Sequence, residues 1–250
     1  MKTLEVLFTP AEFDALARRE PGDALCVVFD IFRATSTMIT ALANGATAII
    51  PMAEIPEALA LRQQDADILL AGERDGLRIR AALTGGIDFD LGNSPREFTK
   101  EKVAGKTIAI TTTNGTRALR ACARAGTVLI GSFLNLRATA DFILERRPKA
   151  VLLVCSGTHE QAALEDTLGA GALCNLLWRE YSSAAADSAL MAQQIFQRGP
   201  NNMLAAAGIS RNGRRLLSQP ELREDVAFCL RRDTCKFAAA LGADGKVRVV

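Results

Sequence analysis

Short apolar, β-branched runs alternate with segments of helical periodicity along most of this chain. Runs such as CVVF, TIAI and VLLVC are apolar at consecutive positions, which is typical of strands buried on both faces of a parallel sheet. Strands that alternate with helices predict an α/β fold with a mostly parallel central sheet. The predicted strands cover residues 4–8, 24–29, 48–51, 68–71, 107–111, 127–131 and 150–155, and a short late strand at 246–250 is expected to close an edge.

A unit of strand, polar loop and helix recurs three times in this pattern. Its predicted helices cover residues 36–43, 117–124 and about 164–181. In open α/β sheets, ligands bind beyond the carboxyl ends of the strands, where helix N-termini gather. We therefore expect the three polar loops to contribute to one functional site.

The chain shows no convincing internal linker, so we expect a single domain over residues 1–250. An inserted loop or small lobe is predicted around 72–99, where glycine and polar residues are frequent. The part from 184 to 250 is predicted to be looser and helical, with 184–220 at the periphery. Within the insertion, a capping box is predicted, with Ser94 at the N-cap and Glu97 three residues later.

Composition excludes several classes of protein. The 250 residues carry a formal charge of +2 without long basic runs, and only 5% are aromatic, so no nucleic-acid partner is expected. No apolar run reaches the roughly 18–20 residues of a membrane span, and no signal peptide is recognisable. The six cysteines form no CxxC pair, as expected of free thiols in the cytoplasm. A homodimer is suggested only by the apolar content.

The chain contains one histidine, His159. Zinc enzymes and hydrolases with a histidine triad usually need more imidazole groups. Any chemistry would therefore rely on carboxylates, hydroxyls and backbone amides, with a thiol and a hard cation as further candidates.

The first polar loop places Asp30 and Arg33 at a helix entrance. A haloacid-dehalogenase phosphatase would need a second carboxylate where Phe32 stands, so that family is rejected. Asp30 could hold a hard cation, and Arg33 could bind a phosphate or carboxylate with two hydrogen bonds. The structural alternative is an Asp–Arg ion pair, with Thr35 or Ser36 as an ordinary N-cap.

The second polar loop, TTTNGT at 111–116, supplies hydroxyls and amides just before a helix. The partial positive charge of a helix N-terminus makes an anion the natural ligand. A Walker loop is excluded because the only Gly-Lys-Thr, at 105–107, precedes its strand and lacks the first glycine of that motif. The alternative is a capped turn.

The third polar loop begins with Cys155, Ser156 and Gly157. A tyrosine phosphatase would need arginine where Gln161 stands, and Cys155 could equally be a buried residue at a strand end. Glu165 and Asp166 follow in the first turn of the next helix, where acidic residues also suit the helix dipole. Gly169 and Gly171 in that helix permit another segment to approach closely. Glu73 could be no more than a solvated loop residue.

Taken in order, the segments VVFDIFRATST, AGERDG, FDLGNSPREF, TTTNGTRAL and CSG…EDTLGAG resemble the 2-phosphosulfolactate phosphatase (ComB) family. The resemblance covers residues 24–171, and it continues more loosely in Ser210-x-x-Gly213-x-x-Leu216 and in 224–233. Ala238-Ala239 replaces the family's usual Val-Pro.

Membership would imply a three-layer α/β/α fold and magnesium-dependent hydrolysis of (R)-2-phospho-3-sulfolactate, or a related phosphorylated 2-hydroxy acid. The products would be sulfolactate and phosphate, on the route to coenzyme M. The hypothesis that follows assigns catalysis to Asp30, Arg33, Glu165 and Asp166, and Mg²⁺ to Asp30, Glu73, Glu165 and Asp166. The residues expected to bind the substrate are Asn93, Ser94, Thr112, Thr113, Asn114, Gly115, Thr116, Cys155, Ser156 and Gly157.

Two questions of mechanism and function stay open at this point. Attack by water and covalent attack by Asp30 are both compatible with the residues. A non-catalytic sensor of a phosphorylated or sulfonated metabolite could use the same anion site, and a transferase with a Gly/Thr-rich nucleotide loop is a third possibility.

Overall fold

The computed structural model describes residues 2–19, 22–199 and 202–250. One ten-stranded sheet, with helices on both of its faces, forms the centre of the molecule, as the α/β prediction requires. The strands are β1 (Thr3–Leu7), β2 (Leu25–Phe29), β3 (Ala48–Met52), β4 (Leu69–Arg74), β5 (Leu77–Arg78), β6 (Thr107–Thr111), β7 (Thr127–Gly131), β8 (Ala150–Cys155), β9 (Ala239–Leu241) and β10 (Val247–Val249).

Helices of 4 to 18 residues occupy most of the chain between the strands. Among the described residues, no helix is long and apolar enough to cross a bilayer. The α-helices are α1 (Pro10–Asp14), α2 (Leu16–Arg19), α3 (Ala34–Ala43), α4 (Ile55–Gln64), α5 (Ala81–Thr84), α6 (Lys100–Val103), α7 (Gly115–Cys122), α8 (Leu136–Arg146), α9 (Leu164–Tyr181), α10 (Asp187–Arg198), α11 (Met203–Gly208), α12 (Arg211–Leu217) and α13 (Arg223–Cys229); 3₁₀ turns lie at Pro95–Glu97, Phe133–Asn135 and Ser182–Ala184.

The sheet contains two blocks of parallel strands. One block has the order β1-β8-β2-β7, and the other has the order β3-β6-β4. Between them stand β9 and β10, and every pairing from β7 through β9 and β10 to β3 is antiparallel. The prediction that the last strand closes an edge was wrong. A turn at Gly245 returns β10 beside β9, so that Val247 pairs with both Leu241 and Ile49 in the middle of the sheet.

Strand β2 shows why its apolar run is continuous. All five of its residues are buried, and successive side chains point to opposite faces of the sheet. Leu25, Val27 and Phe29 pack in the cluster that contains α8 and α9. Cys26 and Val28 pack on the other face, in a cluster that α3, α7 and both parallel blocks share. All six cysteines are free thiols, as predicted.

Several boundaries match the sequence prediction, but β4 extends three residues further than expected. The sequence predicts that a loop begins at Gly72. Gly72 instead lies inside the strand with φ +148°, and a Cβ there would stand 2.1 Å from the carbonyl oxygen of Thr111. Glycine therefore allows β4 to approach β6 closely, and this extension carries Glu73 to the end of β6.

The predicted capping box at 94–97 does not form. These residues make only a single 3₁₀ turn, in which the Ser94 side chain caps no backbone amide. Its Oγ instead donates to Asp225 Oδ1 at 2.7 Å, and Glu97 accepts from the amide of Gly92 at 3.1 Å. The Ser94 hydroxyl therefore binds Asp225, which is distant in the sequence, instead of a backbone amide of its own turn.

Helix α10 packs along α9 on the outside of the first block. A Cβ on Gly171 would stand 2.1 Å from the carbonyl oxygen of Ala192. The predicted role of this glycine, to permit close approach of another segment, is confirmed.

Candidate active site

A polar cavity lies where the ends of β2, β4, β6 and β8 meet helix α12. Residues from all three predicted polar loops reach it, although these loops are far apart in the sequence. The predicted site residues that line the cavity are Asp30, Arg33, Glu73, Asn93, Thr113, Asn114, Gly157, Glu165 and Asp166.

Strand register explains why these loops converge. In the first block, Phe29 of β2 is opposite Cys155 of β8, so the loops that follow these strands are neighbours. In the second block, Gly72 of β4 is opposite Thr111 of β6. Each block thus supplies one pair of adjacent strand ends, and parallel pairing places both members of a pair at the same edge.

Glu73 connects the end of β4 to the TTTNGT loop. Its Oε1 accepts hydrogen bonds from the amide and the hydroxyl of Thr113, both at 2.9 Å. Its Oε2 accepts from the amide of Gly76 at 2.6 Å. The side chain is buried at 7% exposure, so it is not a solvated loop residue. Both of its oxygens are engaged in holding the loop.

The other threonines of TTTNGT are used inside the turn. Thr112 Oγ1 accepts from the amide of Thr116 at 3.3 Å, and Thr116 Oγ1 donates to the carbonyl oxygen of Thr112 at 2.9 Å. Thr111 Oγ1 donates to the carbonyl oxygen of Ala53. The apparent surplus of hydroxyls therefore builds the entrance to α7, and only Thr113 and Asn114 of this loop line the cavity.

The N-terminus of α7 rests directly against Asp30. A Cβ on Gly115 would stand 2.8 Å from Asp30 Oδ2 and 2.7 Å from the Cβ of Ala34, so only glycine fits here. The partial positive charge of the helix N-terminus thus faces a carboxylate oxygen. Asp30 Oδ1 accepts from the amide of Ala34 at 3.0 Å, at the start of α3.

Burial raises the pKa of Asp30 to about 7, and the nearby charges of Glu73 and Glu165 add to this rise. The Ala34 amide and the Arg33 guanidinium act in the opposite direction. An ionised carboxylate at this position is therefore held at a substantial cost to the folded state.

Asp166 holds two loops of the site together. Its Oδ1 accepts from the amide of Ile31 at 2.8 Å, and its Oδ2 accepts from the amide of Gly157 at 3.2 Å. Burial, followed by the charges of Glu165 and Asp30, raises its pKa, and the two amide hydrogen bonds oppose this rise. Its primary contact is thus with the backbone of the first and third loops.

Glu165 has one engaged oxygen and one without a partner. Its Oε1 accepts from Asn212 Nδ2 at 2.6 Å, and the same amide group donates to Thr158 Oγ1 at 2.7 Å. Its Oε2 is buried and has no hydrogen-bond partner in the described part of the chain. An unpartnered buried oxygen is costly unless a ligand satisfies it.

Arg33 belongs to a buried ion pair. Its Nη1 donates to Asp225 Oδ2 at 2.7 Å, and its Nη2 donates to the carbonyl oxygen of Gly76 at 2.7 Å. Ser94 donates to the other oxygen of Asp225. The ion-pair alternative considered for Arg33 is therefore present, but with Asp225 as the partner instead of Asp30. The Phe32–Arg33 peptide bond before α3 is cis.

Six predicted substrate-binding residues do not line this cavity. Burial raises the pKa of the Cys155 thiol well above its usual value, and the side chain lies entirely within the core. Ser156 is also fully buried, at the end of the same strand. The six residues are Ser94, Thr112, Gly115, Thr116, Cys155 and Ser156.

Helix α12 supplies two cavity residues that the sequence analysis did not select. Asn212 and Arg215 both line the cavity, as does His159 from the third loop. The segment had been placed at the periphery because its composition is polar. A signal did exist in Ser210-x-x-Gly213: Ser210 is the N-cap of α12 and accepts from the amide of Gly213 at 2.9 Å.

A magnesium ion was expected to be held by Asp30, Glu73, Glu165 and Asp166. No group of three or more acidic, cysteine or histidine side chains is placed to hold a metal ion within the described ranges. Within this set of four carboxylates, two oxygens nevertheless accept no hydrogen bond from the described residues, namely Asp30 Oδ2 and Glu165 Oε2. Mg²⁺ is commonly held by one or two carboxylates together with substrate phosphate and water, so this donor set fits the ion.

Comparison with known proteins agrees with the geometry. The family model described as 2-phosphosulpholactate phosphatase matches residues 12–242. A protein named probable 2-phosphosulfolactate phosphatase from Caldicellulosiruptor saccharolyticus is 37% identical over 227 residues, covering 86% of this chain and 89% of that protein. A protein of the same name from Thermotoga petrophila is 39% identical, covering 86% and 88%. The one from Clostridium acetobutylicum is 32% identical, covering 89% and 92%.

Proposed function

Because the chain belongs to the 2-phosphosulpholactate phosphatase family, we propose that it hydrolyses (R)-2-phospho-3-sulfolactate or a closely related phosphorylated 2-hydroxy acid. The products are the free hydroxy acid and phosphate, and the reaction depends on Mg²⁺. The names of the relatives support the substrate class, and the chemistry of the cavity supports the need for a cation.

The observation that carries the proposal is the number of carboxylates around one cavity. Asp30, Glu73, Asp75, Glu165 and Asp166 all line it. Burial, with the added repulsion of Glu73 and Glu165, raises the pKa of Asp30 to about 7. An anionic phosphate ester would be repelled from such a cavity unless a cation were bound with it. A simple anion sensor has no need for this arrangement, because arginines and amides alone would serve.

Asp30 and Glu165 are the residues that would hold Mg²⁺, each through the one oxygen that the protein leaves free. The ion, when bound, neutralises the charge of the phosphoryl group and of its developing transition state. Glu73 and Asp166 are positioning residues in this scheme. Glu73 holds Thr113 and Gly76, and Asp166 holds the amides of Ile31 and Gly157.

The phosphoryl group would lie at the N-terminus of α7, beside Thr113 and Asn114. The amides and the dipole of a helix N-terminus favour an anion there. Arg33 faces the same cavity and retains N–H groups beyond the two that bind Asp225 and Gly76. Asn93, which lines the cavity, would donate from its Nδ2 group to the carboxylate end of the substrate. Water then attacks the phosphorus in line with the leaving oxygen.

A phosphate-release assay tests this function. The substrates are 2-phosphosulfolactate, phospholactate and a nucleoside monophosphate, each with Mg²⁺ and with a chelator. We expect phosphate release from the 2-phospho acids only, and only with Mg²⁺. Binding of these acids without release would instead support the sensor hypothesis, and release that persists in the chelator would overturn the metal dependence.

Two glutamate variants separate the metal role from a general loss of charge. Glu165→Gln should lower kcat by about 100-fold or more, since it removes a carboxylate oxygen that no protein donor satisfies. Glu160→Gln is the matched control, because Glu160 is exposed and only pairs with Arg117 on the surface. Equal activity of the two variants would contradict the assignment of Glu165.

A further inference from the structure

Arg215 is a cationic residue of the cavity that the proposed mechanism leaves unused. It projects from α12, its side chain is half-buried, and it lines the same cavity as five carboxylates, those of Asp30, Glu73, Asp75, Glu165 and Asp166. It makes no salt bridge and no side-chain hydrogen bond with any described residue. A guanidinium carries five N–H donors and is always charged, so one that lines a cavity without a partner is ready to bind an anion.

The position of Arg215 is set by Gly76. Its Nη1 stands 2.9 Å from the place that a Cβ on Gly76 would occupy, so any other residue at 76 would displace the guanidinium. Gly76 is itself held on two sides, since its amide donates to Glu73 and its carbonyl oxygen accepts from Arg33. Its φ of +80° also favours glycine. Gly76, which the Arg215 guanidinium contacts, is thus held in place by two residues of the site, Glu73 and Arg33.

The two arginines that line the cavity, Arg33 and Arg215, differ in whether a carboxylate forms an ion pair with them. Arg33 is compensated by Asp225 in a buried pair. Arg215 has no such counter-ion among the described residues, and the lining includes no lysine. Arg215 is therefore a cationic side chain of the cavity that has no ion-pair partner in the described part of the chain, and its N–H donors remain for a negative group of the ligand.

The proposed substrate carries two anionic groups besides its phosphate ester. In 2-phosphosulfolactate, the carboxylate is attached to the carbon that bears the phosphate ester, whereas the sulfonate is one carbon further away. Arg215 comes from α12, a different element from the α7 entrance that receives the phosphoryl group. We propose that Arg215 binds the sulfonate, or another anion at that carbon, and selects substrates that carry it. This inference rests on the proposed function.

The test compares two substrates that differ only in this anion. Kinetics are measured for Arg215→Gln with 2-phosphosulfolactate and with phospholactate. Phospholactate carries a methyl group where phosphosulfolactate carries a methylene group with its sulfonate. A lost charge-assisted hydrogen bond corresponds to about a 10- to 100-fold loss in binding. We expect KM for phosphosulfolactate to rise by this factor, with kcat nearly unchanged, and kcat/KM for phospholactate to change less than about twofold.

Arg214→Gln is the matched control, because Arg214 is the neighbouring residue but is exposed and donates only to the carbonyl oxygen of Ile209. It should retain the wild-type preference. Arg215→Lys should recover part of the lost affinity, since lysine keeps the charge but not the fork of donors. A loss of the same size on both substrates, or on neither, would overturn the role of Arg215.

Calorimetry with sulfolactate and lactate measures binding without catalysis. It therefore tests the role of Arg215 independently of the proposed function. If the wild type hydrolyses neither phosphate ester, the proposed function fails, and binding alone decides the role of Arg215. Weaker binding of sulfolactate by Arg215→Gln, with lactate unaffected, supports that role. Equal binding of sulfolactate by the variant and the wild type refutes it.

Discussion

Replacement of Asp30 by asparagine should stabilise the folded protein while it removes activity. The side chain is 8% exposed, and burial together with Glu73 and Glu165 raises its pKa to about 7. Asparagine has nearly the same shape, and its oxygen can still accept the hydrogen bond from the amide of Ala34. The variant therefore removes a costly buried charge and leaves the local hydrogen bond in place.

The size of the effect follows from the pKa. Ionising a carboxyl whose pKa rises from 3.8 to about 7 on folding costs the folded state about 4 kcal/mol. Because the pKa of Asp30 is higher in the folded than in the unfolded state, the protonated form of Asp30 favours the fold. This contribution is complete below about pH 4 and is lost as the pH rises to about 7. Asparagine does not ionise. Its advantage should be about 1–2 kcal/mol at pH 5 and about 4 kcal/mol at pH 8.

Thermal unfolding in a chelator at pH 5, 6 and 8 measures this difference. At pH 8 the Tm of Asp30→Asn should exceed that of the wild type by about 5–15 °C, and the gap should shrink towards pH 5. Asp141→Asn is the control, because Asp141 is exposed and its pair with Arg137, at 4.0 Å, contributes little. A Tm gap that is equal at pH 5 and pH 8, or a variant less stable than the wild type at pH 8, would refute the reasoning. Phosphatase activity should fall by about 100-fold or more.

Three further outcomes are expected. Asp225→Asn leaves the buried Arg33 guanidinium uncompensated, so urea unfolding should show a loss of about 3–5 kcal/mol; an unchanged midpoint would contradict the buried pair. Gly72→Ala forces a Cβ against the carbonyl oxygen of Thr111 and should lower the free energy of unfolding by about 2–4 kcal/mol. Gly85→Ala, which also has positive φ but open space around it, should lose only about 1 kcal/mol, so equal losses would exclude the steric explanation. Mg²⁺ at about 100 times its dissociation constant should stabilise the metal-free protein by about 2.7 kcal/mol, a shift that differential scanning calorimetry resolves and whose absence would argue against a magnesium site.

The sequence alone determined the elements that depend on local patterns. The strands at 107–111, 127–131 and 150–155 and the helix at 164–181 were predicted with the bounds that the structure has. The three strands are short apolar runs rich in β-branched residues and followed by polar residues or glycine, and the helix has two acidic residues in its first turn and carries apolar residues at helical spacing. The polar loops that follow three of the strands were also identified, since hydroxyl, amide and carboxylate groups stand out between apolar runs. The family resemblance followed from the order of those loops.

Local patterns were misleading wherever a distant partner decides the outcome. Gly72 suggested a loop because glycine usually ends a strand, yet it is required inside β4 by the closeness of β6. Ser94 suggested an N-cap, but Asp225, 131 residues away, takes its hydroxyl. Strand order is equally non-local, and β10 is a central strand although it is the last strand of the chain and only three residues long.

The tertiary structure alone decided what each site residue can do. Four carboxylates were equivalent metal candidates in the sequence, but backbone and side-chain donors engage both oxygens of Glu73 and Asp166 and leave one oxygen free on Asp30 and on Glu165. Arg215 joined the site only because α12 folds back over Gly76. The reason is physical: a residue's type is local, but its free lone pairs, its charge balance and its pKa depend on neighbours that the chain brings from far away in the sequence.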